Sequence, residues 1–473
     1  MFNRLSDSHL EALRRIVGNE FVLTDPDSLK LASCDETEDL CFVPECVVRP
    51  RTAGEISEIL RLASEEMIPV TPRGGGTGLS GGALPVHGGI VLLTDRLNEI
   101  IEIDRENLFA TVEAGVITEA FQNAVEEQGL FYPPDPASRG SCFIGGNIAE
   151  NSGGPRAVKY GVTKDWVYGL EVVLPTGEII STGGKLLKNV AGYNLTQLFI
   201  GSEGTLGVVT KATLKLIAKP KFSIVLLAAY DDAFKACGTV SALFRAGLVP
   251  SACEFIERDA MQMALRHLDR SLPNSDAAAQ ILIELDGNDD ARLREEIELA
   301  GTVCDEGGDG GGGGGGAIDV ILADSGHRVN EMWEVRRAVG EAVKAHSVYK
   351  EEDTVVPRAS LPDLYVGVKE ICLRRGVRSV CYGHAGDGNL HVNLLKDTMT
   401  DEEWTDKLPP TIVEIFEHCV RLGGTISGEH GIGWSQKPYL KLAMSEAEFS
   451  LMRSLKRTLD PQGILNPGKV FDM

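Results

Sequence analysis

The sequence predicts an α+β protein of two domains, and three observations carry that expectation. A chain of 473 residues, 43% of them apolar, is long enough for two or three well-buried cores of ordinary globular type. Near Pro220 the texture changes from short β-branched runs punctuated by Gly, Pro and Asn to strands alternating with long helices. The end of the chain, "LKRTLDPQGILNPGKVFDM", reads as a helix end followed by a turn-rich tail. The expected segments are residues 1–218, 219–425 and 426–473.

The elements follow in order. "MFNRLSDSHLEALRRIVG" is an amphipathic helix with charges throughout, which no signal peptide has. A strand at "CVVRP" precedes a helix whose Ile56, Ile59, Leu60 and Ala63 share one face, and "IPVTPR" is again a strand. "GGIVLLT", "LFATVEAG", "GLEVVLPTGEIIST" and "GTLGVVTKATLKL" then read as short strands. Beyond Pro220, "FSIVLLAAYDD", "DDAFKACGTVSALFRAG", "ACEFIERDAMQMALRHL" and "AAQILIELDG" alternate between strand and helix patterns. Seven consecutive glycines, Gly310 to Gly316, fit no packed element, because each loses backbone entropy and packs nothing.

Composition narrows the function. A net charge of −23 argues against nucleic acid and against docking on anionic lipid. No apolar run approaches the roughly 18 residues a membrane span needs, so a cytoplasmic protein is expected. Ten cysteines include no CxxC pair, so any iron–sulfur centre belongs to a partner. Cys34, Cys41 and Cys46, the closest grouping, are expected to be ordinary thiols.

"PRGGGTGLSGG" holds a formal GxGxxG at Gly76, Gly78 and Gly81, but "GGALPVHGGIV" follows and cannot be the helix of a Rossmann unit. No GK[ST] follows either, which removes the P-loop. What remains is a nest of backbone N–H groups open to an anion, with a plain tight turn as the alternative. A second glycine-rich block, residues 132–167, has the small residues needed to line a flat ligand at close range.

"GHAGDGNLH" brings His384 and His391 together across a glycine turn. If "NLHVNLL" is a strand, Asn389, His391 and Asn393 share one face, facing solvent or a polar cavity, while Leu390, Val392 and Leu394 face a helix layer. "TISGEHGIGW" adds Glu429 and His430 in another tight turn. Two imidazoles and a carboxylate leave open positions on Zn²⁺, Mn²⁺ or Fe²⁺, as a catalytic site requires. Two turn and surface histidines are the plainer alternative.

The blocks "VVRPRTAGEISEILRLA…PVTPRGGGTGLSGG", "PPDPAS…IGGNIAENSGGPRAVKYG", "GTLGVVTKATLKL", "GHAGDGNLH", "SGEHGIG" and "DPQGILNPGKVF", in this order, resemble the FAD-dependent D-2-hydroxyacid dehydrogenases. That family comprises D-lactate dehydrogenase, the glycolate oxidase flavoprotein subunit and D-2-hydroxyglutarate dehydrogenase, within the vanillyl-alcohol oxidase / p-cresol methylhydroxylase superfamily. The resemblance implies a two-subdomain FAD-binding domain of the p-cresol methylhydroxylase type over 1–218, an α+β substrate or cap domain over 219–425, and a segment 426–473 returning to the FAD domain.

It further implies that Pro72, Arg73, Gly74, Gly75, Gly76, Thr77 and Gly78 cradle the FAD pyrophosphate. Pro134, Ser138, Gly145, Gly146, Asn147, Asn151, Gly153, Gly154 and Tyr160 would line the cofactor, Val209 its adenine side, and Asn466 the flavin ring. No histidine lies in "PRGGGTG", so the FAD is expected to be non-covalent. His384, His391 and Glu429 correspond to the family's metal ligands. His430 is left as general base, with a structural hydrogen-bond donor as the rival role. On the helix of "WEVRRAVGEAV", Arg336 would grip the substrate carboxylate, together with Lys350 just before a strand "DTVVP" and with Asn393. Gly340 stands where the hydroxyglutarate enzyme carries threonine, which speaks against a five-carbon diacid.

The expected reaction is hydride transfer from a small D-2-hydroxyacid, lactate or glycolate first, to flavin N5. Electrons then pass to an electron-transferring flavoprotein, an iron–sulfur subunit or a quinone; a homodimer is compatible with all of this. D-2-hydroxyglutarate is the alternative substrate. A metal-dependent hydrolase, colourless rather than yellow, and a flavin electron-transfer subunit without its own chemistry are the competing classes.

Overall fold

The computed structural model describes residues 2–307, 316–323 and 326–472. The glycine run lies outside them except for Gly316. The chain forms two compact units: Met1–Gly153, Val162–Lys219 and Glu429–Met473 make the first, Gly154–Gly161 and Pro220–Gly428 the second. Among the described residues, no helix is long and apolar enough to cross a membrane.

The first unit is built on two larger sheets and a two-stranded ribbon. A four-stranded sheet runs Val22–Leu23, Cys46–Val48, Ile90–Leu93, Val70–Arg73, its last three strands parallel. The helix Ala53–Glu65 starts at Thr52, whose side chain accepts from the Glu55 amide and so satisfies an otherwise orphan donor. Its Ile56, Ile59, Leu60 and Ala63, spaced at i, i+3, i+4 and i+7, are fully buried against Cys46, Val48, Ile90 and Leu92. The chain end joins this core: Ile464 and Leu465 are fully buried, and the Val70 amide donates to the Ile464 carbonyl at 2.8 Å. A five-stranded antiparallel sheet follows the order Ile100–Asp104, Phe109–Glu113, Val208–Lys215, Val167–Val173, Ile179–Gly183. Residues of Val208–Lys215 alternate strictly between buried and half-buried, as a strand with one face on a core must.

One cysteine expectation fails here. Cys34 and Cys41 form a disulfide across a separation of seven residues, while Cys46 is a buried free thiol. The spacing alone carried no sign of it, because pairing requires the chain to fold back between the two residues, as the Cys34–Cys41 bridge does.

The second unit holds one seven-stranded antiparallel sheet, ordered Asp319–Ala323, Phe222–Tyr230, Ala279–Gly287, Ala252–Glu257, Arg378–Gly383, Asn389–Leu395, Tyr349–Val355. "ACEFIERDAMQMALRHL" divides into the strand Ala252–Glu257 and the helix Arg258–Leu268. Helices Arg258–Leu268 and Gly326–His346 cover one face, packing on Ile256, Val380, Tyr382 and Leu395. On the other face Tyr365, from helix Leu361–Arg375, packs edge-on against Phe255 at 5.4 Å. All seven residues of Asn389–Leu395 are buried, so of the two settings expected for the Asn389, His391 and Asn393 face, solvent is ruled out and an interior one remains.

Candidate functional site

The glycine-rich cavity lies wholly in the first unit. Pro72 to Gly78, Ser138, Gly145, Gly146, Asn147, Val209 and Asn466 line it, joined by Glu150, Ser202, Glu203, Glu429 and His430. Glycine is required at two points. A Cβ on Gly75 would overlap the Ser141 carbonyl, and Gly76 holds φ of 73°, where a Cβ would overlap the Arg73 guanidinium. Gly78 and Gly146, by contrast, face open space, where a Cβ would meet nothing within 4 Å. A cradle with no side chains in the way admits a ligand to the backbone amides, the arrangement that suits an FAD pyrophosphate.

Other expected residues stand elsewhere. Pro134, Asn151, Gly153 and Gly154 are not among the cavity's lining. Asn151 caps the helix Ile144–Glu150 in the left-handed conformation, and its side chain accepts from the Lys164 amide. Tyr160 belongs to the second unit, where its hydroxyl donates to the Asp286 carboxylate at 2.8 Å, with the Lys159 ammonium on the same group. That bond anchors the segment 154–161 to the strand Ala279–Gly287 within the second unit.

The turn bearing Glu429 and His430 is held by a residue the motifs did not reveal. Glu203, with φ of 51°, accepts from the Ile432 amide at 2.8 Å and the Gly433 amide at 2.6 Å, and its own carbonyl accepts from Asn466 Nδ2 at 2.7 Å. Burial pushes its carboxyl up, and those amides and the Lys469 charge oppose the rise. Burial, then the Glu203 charge, lifts Glu150 well above the usual glutamate range. His430 Nε2 stands 3.8 Å from Glu429 Oε1.

In the second unit, strand register assembles a polar cluster. His391 pairs with Asp353 and Tyr382, and Asn393 with Glu351 and Val380, so these side chains share one sheet face. His384, from the turn after Arg378–Gly383, stands edge-on to His391 with ring centroids 5.3 Å apart. His384 Nδ1 lies 2.9 Å from both oxygens of Glu254, a fully buried glutamate on the same face. Burial alone would raise the Glu254 carboxyl, but the His384 and Arg336 charges outweigh it and hold it below its ordinary value. His391 Nδ1 faces Glu351 at 3.5 Å and Asp353 at 3.7 Å. His384 Nδ1 is thus within hydrogen-bond reach of a carboxylate, which leaves its Nε2 open, while His391 Nδ1 stands within ion-pair distance of two carboxylates. Asp353 also accepts from Asn389 Nδ2 and the Gly428 amide, both at 2.7 Å, fixing the residue that precedes Glu429.

Arg336 is 7% exposed and pairs with Glu254 at 2.6 Å, its guanidinium 5.1 Å from the Tyr382 ring centroid. Its Nε makes no hydrogen bond, and neither amide atom of the fully buried Asn393 makes one of good geometry, although the amide approaches the Tyr382 hydroxyl. Buried polar atoms short of partners call for an explanation such as an ordered water or a polar ligand. Lys350 corrects the expectation. It lies inside the strand Tyr349–Val355, not before it, and pairs with Leu394, so it occupies the face opposite His391 and Asn393. Glu254, Glu351, Asp353 and Tyr382 were all missed; they share a face with His391 and Asn393 only once the strands are paired, so no single segment signals them.

Two family models match: "FAD binding domain" over residues 44–183 and "FAD linked oxidases, C-terminal domain" over 219–470. The chain is 43% identical to the glycolate oxidase subunit GlcD of Bacillus subtilis, covering 93% of this chain and 91% of that protein. Identity is 37% to a D-lactate dehydrogenase of Anaerostipes hadrus, over 90% and 89% of the two chains. It is 35% to a D-2-hydroxyglutarate dehydrogenase of Xanthomonas citri pv. viticola, over 99% and 98%. Among solved structures, p-cresol methylhydroxylase with substrate bound superposes with a TM-score of 0.79 at 18% identity, covering 98% of this chain and 97% of that one, a likeness of fold.

Proposed function

Because this chain belongs to the family of FAD-linked D-2-hydroxyacid dehydrogenases, we propose that it oxidises a small D-2-hydroxyacid, D-lactate or glycolate, to the 2-oxoacid and hands the electrons to a carrier protein or quinone. The observation that carries the proposal is the buried cluster of Arg336 and Asn393, short of hydrogen-bond acceptors, beside two imidazoles backed by carboxylates. A 2-hydroxyacid brings a carboxylate for the guanidinium and amide and a hydroxyl to be deprotonated.

The glycine-lined cavity would hold FAD, and His384 and His391 would supply the imidazoles for a divalent cation, with Glu429 assigned as third ligand by the family resemblance. FAD supplies the two-electron acceptor and the cation a Lewis acid. Arg336 and Asn393 fix the carboxylate. Glu254 holds His384 in one tautomer and orients Arg336 at the same time. By the family resemblance His430 would accept the hydroxyl proton, and Glu203 keeps its turn in place through the amides at 432 and 433. Lys350 takes no part.

The test is an anaerobic stopped-flow panel of D- and L-2-hydroxyacids following flavin absorbance, repeated after chelation. Bleaching by D-lactate or glycolate that is lost on chelation and restored by Zn²⁺ or Mn²⁺ is expected. Undiminished bleaching after complete metal removal sinks the metal-assisted part, and a flavin that no 2-hydroxyacid reduces sinks the whole.

A further inference from the structure

Two carboxyl groups stand side by side in the wall of the first unit's cavity. Glu150 ends the helix Ile144–Glu150, Glu203 lies in the turn that leads to Val208–Lys215, and both line the cavity that the 74–78 turn opens. They meet at Gly431. Its φ is 80°, and a Cβ there would overlap Glu150 Oε2 and fall 3.2 Å from Glu203 Oε1. The other Glu150 oxygen, Oε1, faces Gly82, 3.0 Å from where a Cβ on that glycine would sit.

The two groups differ in what they receive. Glu203 accepts from the Ile432 amide at 2.8 Å and from the Gly433 amide at 2.6 Å, which favours its charged form, and the Lys469 charge acts in the same sense. Glu150 Oε2 is buried and makes no hydrogen bond. Neighbouring buried carboxyl groups resist ionising together, so the one without donors keeps the proton. Burial first, then the Glu203 and Asp35 charges, push Glu150 in that direction. FAD would bring a pyrophosphate into the same cavity, where a second bare carboxylate would repel it.

We propose that Glu150 is a proton-bearing carboxyl group that donates a hydrogen bond to bound FAD. The inference rests on FAD occupying this cavity and assigns a contact to a residue that no motif singled out. A neutral carboxyl offers one O–H, whereas a carboxylate only accepts. Its partner is an acceptor atom of the cofactor, a carbonyl oxygen, a ring nitrogen or a hydroxyl. The two glutamates thus divide their roles: Glu203, charged, holds the 432–433 turn, and Glu150, neutral, faces the ligand.

The experiment compares the wild-type holoenzyme with Glu150→Gln, which keeps an N–H donor, and Glu150→Met, which keeps the length and has none. One readout is the dissociation constant of FAD, from flavin released on dilution; the other is the infrared carbonyl band of a neutral carboxyl group at neutral pH. The wild type should show such a band, absent from Glu150→Gln, and removal of FAD should shift it. Glu150→Gln should hold FAD within about twofold of the wild type, and Glu150→Met should hold it at least about fivefold more weakly, because an acceptor on the cofactor is left without its donor. A wild type that lacks the band, or whose band FAD leaves unmoved, overturns the proposal. So do two variants that bind FAD equally well or equally badly, since charge or shape would then be all that Glu150 contributes. A chain that takes up no FAD at all is a different result: it removes the FAD reading, while the infrared band still reports whether Glu150 carries a proton. Melting temperature reports folding in each variant.

Discussion

In the first unit the ligand cavity is shaped by backbone: Gly74 to Gly78 and Gly145 to Gly146 bring bare amides to the wall, and a single Cβ at Gly75 would meet a carbonyl oxygen. In the second unit the polar cluster is shaped by side chains whose meeting depends on strand register, with His391, Asn393, Glu351, Asp353, Glu254 and Tyr382 on one face of an interior sheet. A backbone cradle demands a particular residue type in consecutive positions. A register-built site demands only that distant strands pair in phase.

The largest expected effect falls on the side-chain cluster. Replacing His384 or His391 with alanine should lower the rate of flavin reduction by at least about a hundredfold while FAD stays bound, since on the proposed metal-assisted reading a lost ligand costs more than the roughly 10–100-fold of a lost supporting group. Stopped-flow reduction and the flavin spectrum measure the two quantities separately. Equal loss of FAD in these variants would erase the contrast between the units. Glu254→Gln comes next. It keeps the shape but loses the charge that pairs with Arg336 and fixes His384, so a 10–100-fold loss is expected, again with FAD retained. A loss confined to KM would assign Glu254 to Arg336 alone.

The backbone cradle should answer in the opposite sense. Gly75→Ala forces the 74–78 turn away from Ser141, and overpacking of this kind costs about 1–3 kcal/mol. The expected readout is weaker FAD retention on dilution, with the rate per bound flavin little changed. An unaltered FAD affinity would show that the turn can move without consequence.

The contrast also explains how much the sequence disclosed. The glycine turn, the strands around it and the helix bearing Ile56, Ile59, Leu60 and Ala63 were readable, because close approach and core burial leave period and composition signatures. His384, His391, Asn393, Glu429 and His430 were readable as dense polar motifs. Glu254 was not. It lies in the fully buried strand Ala252–Glu257, and its partners His384 and Arg336 arrive from segments 82 or more positions away, His384 at a separation of 130. Glu203 was hidden for a related reason, since its contacts are with backbone amides 229 and 230 positions away, and an amide carries no residue signature. Tyr160 was legible as a motif residue, but its bond to Asp286 was not, because that partner lies 126 positions further along the chain.

The smallest expected effect is the sharpest test of register. By sequence Lys350 is the cation nearest the strand that carries Asp353, and a lysine there looks well placed for a substrate carboxylate. Its pairing with Leu394 puts it on the opposite face, whereas Glu351, one residue on, pairs with Asn393. A slip of one residue in this strand would exchange the two, reversing the sign of the charge beside His391. Lys350→Met keeps the apolar stem and removes the charge. With the register as described, kcat/KM for D-lactate should change by no more than about twofold, within the roughly 0.5 kcal/mol of a substitution remote from the site. Arg336→Met, in the same assay, should lose at least tenfold, because the buried guanidinium that pairs with Glu254, and on the proposed reading with the substrate carboxylate, is removed. If Lys350→Met raised KM as far as Arg336→Met does, the strand would be out of phase with this description, and Glu351 would have to leave the substrate face as Lys350 entered it.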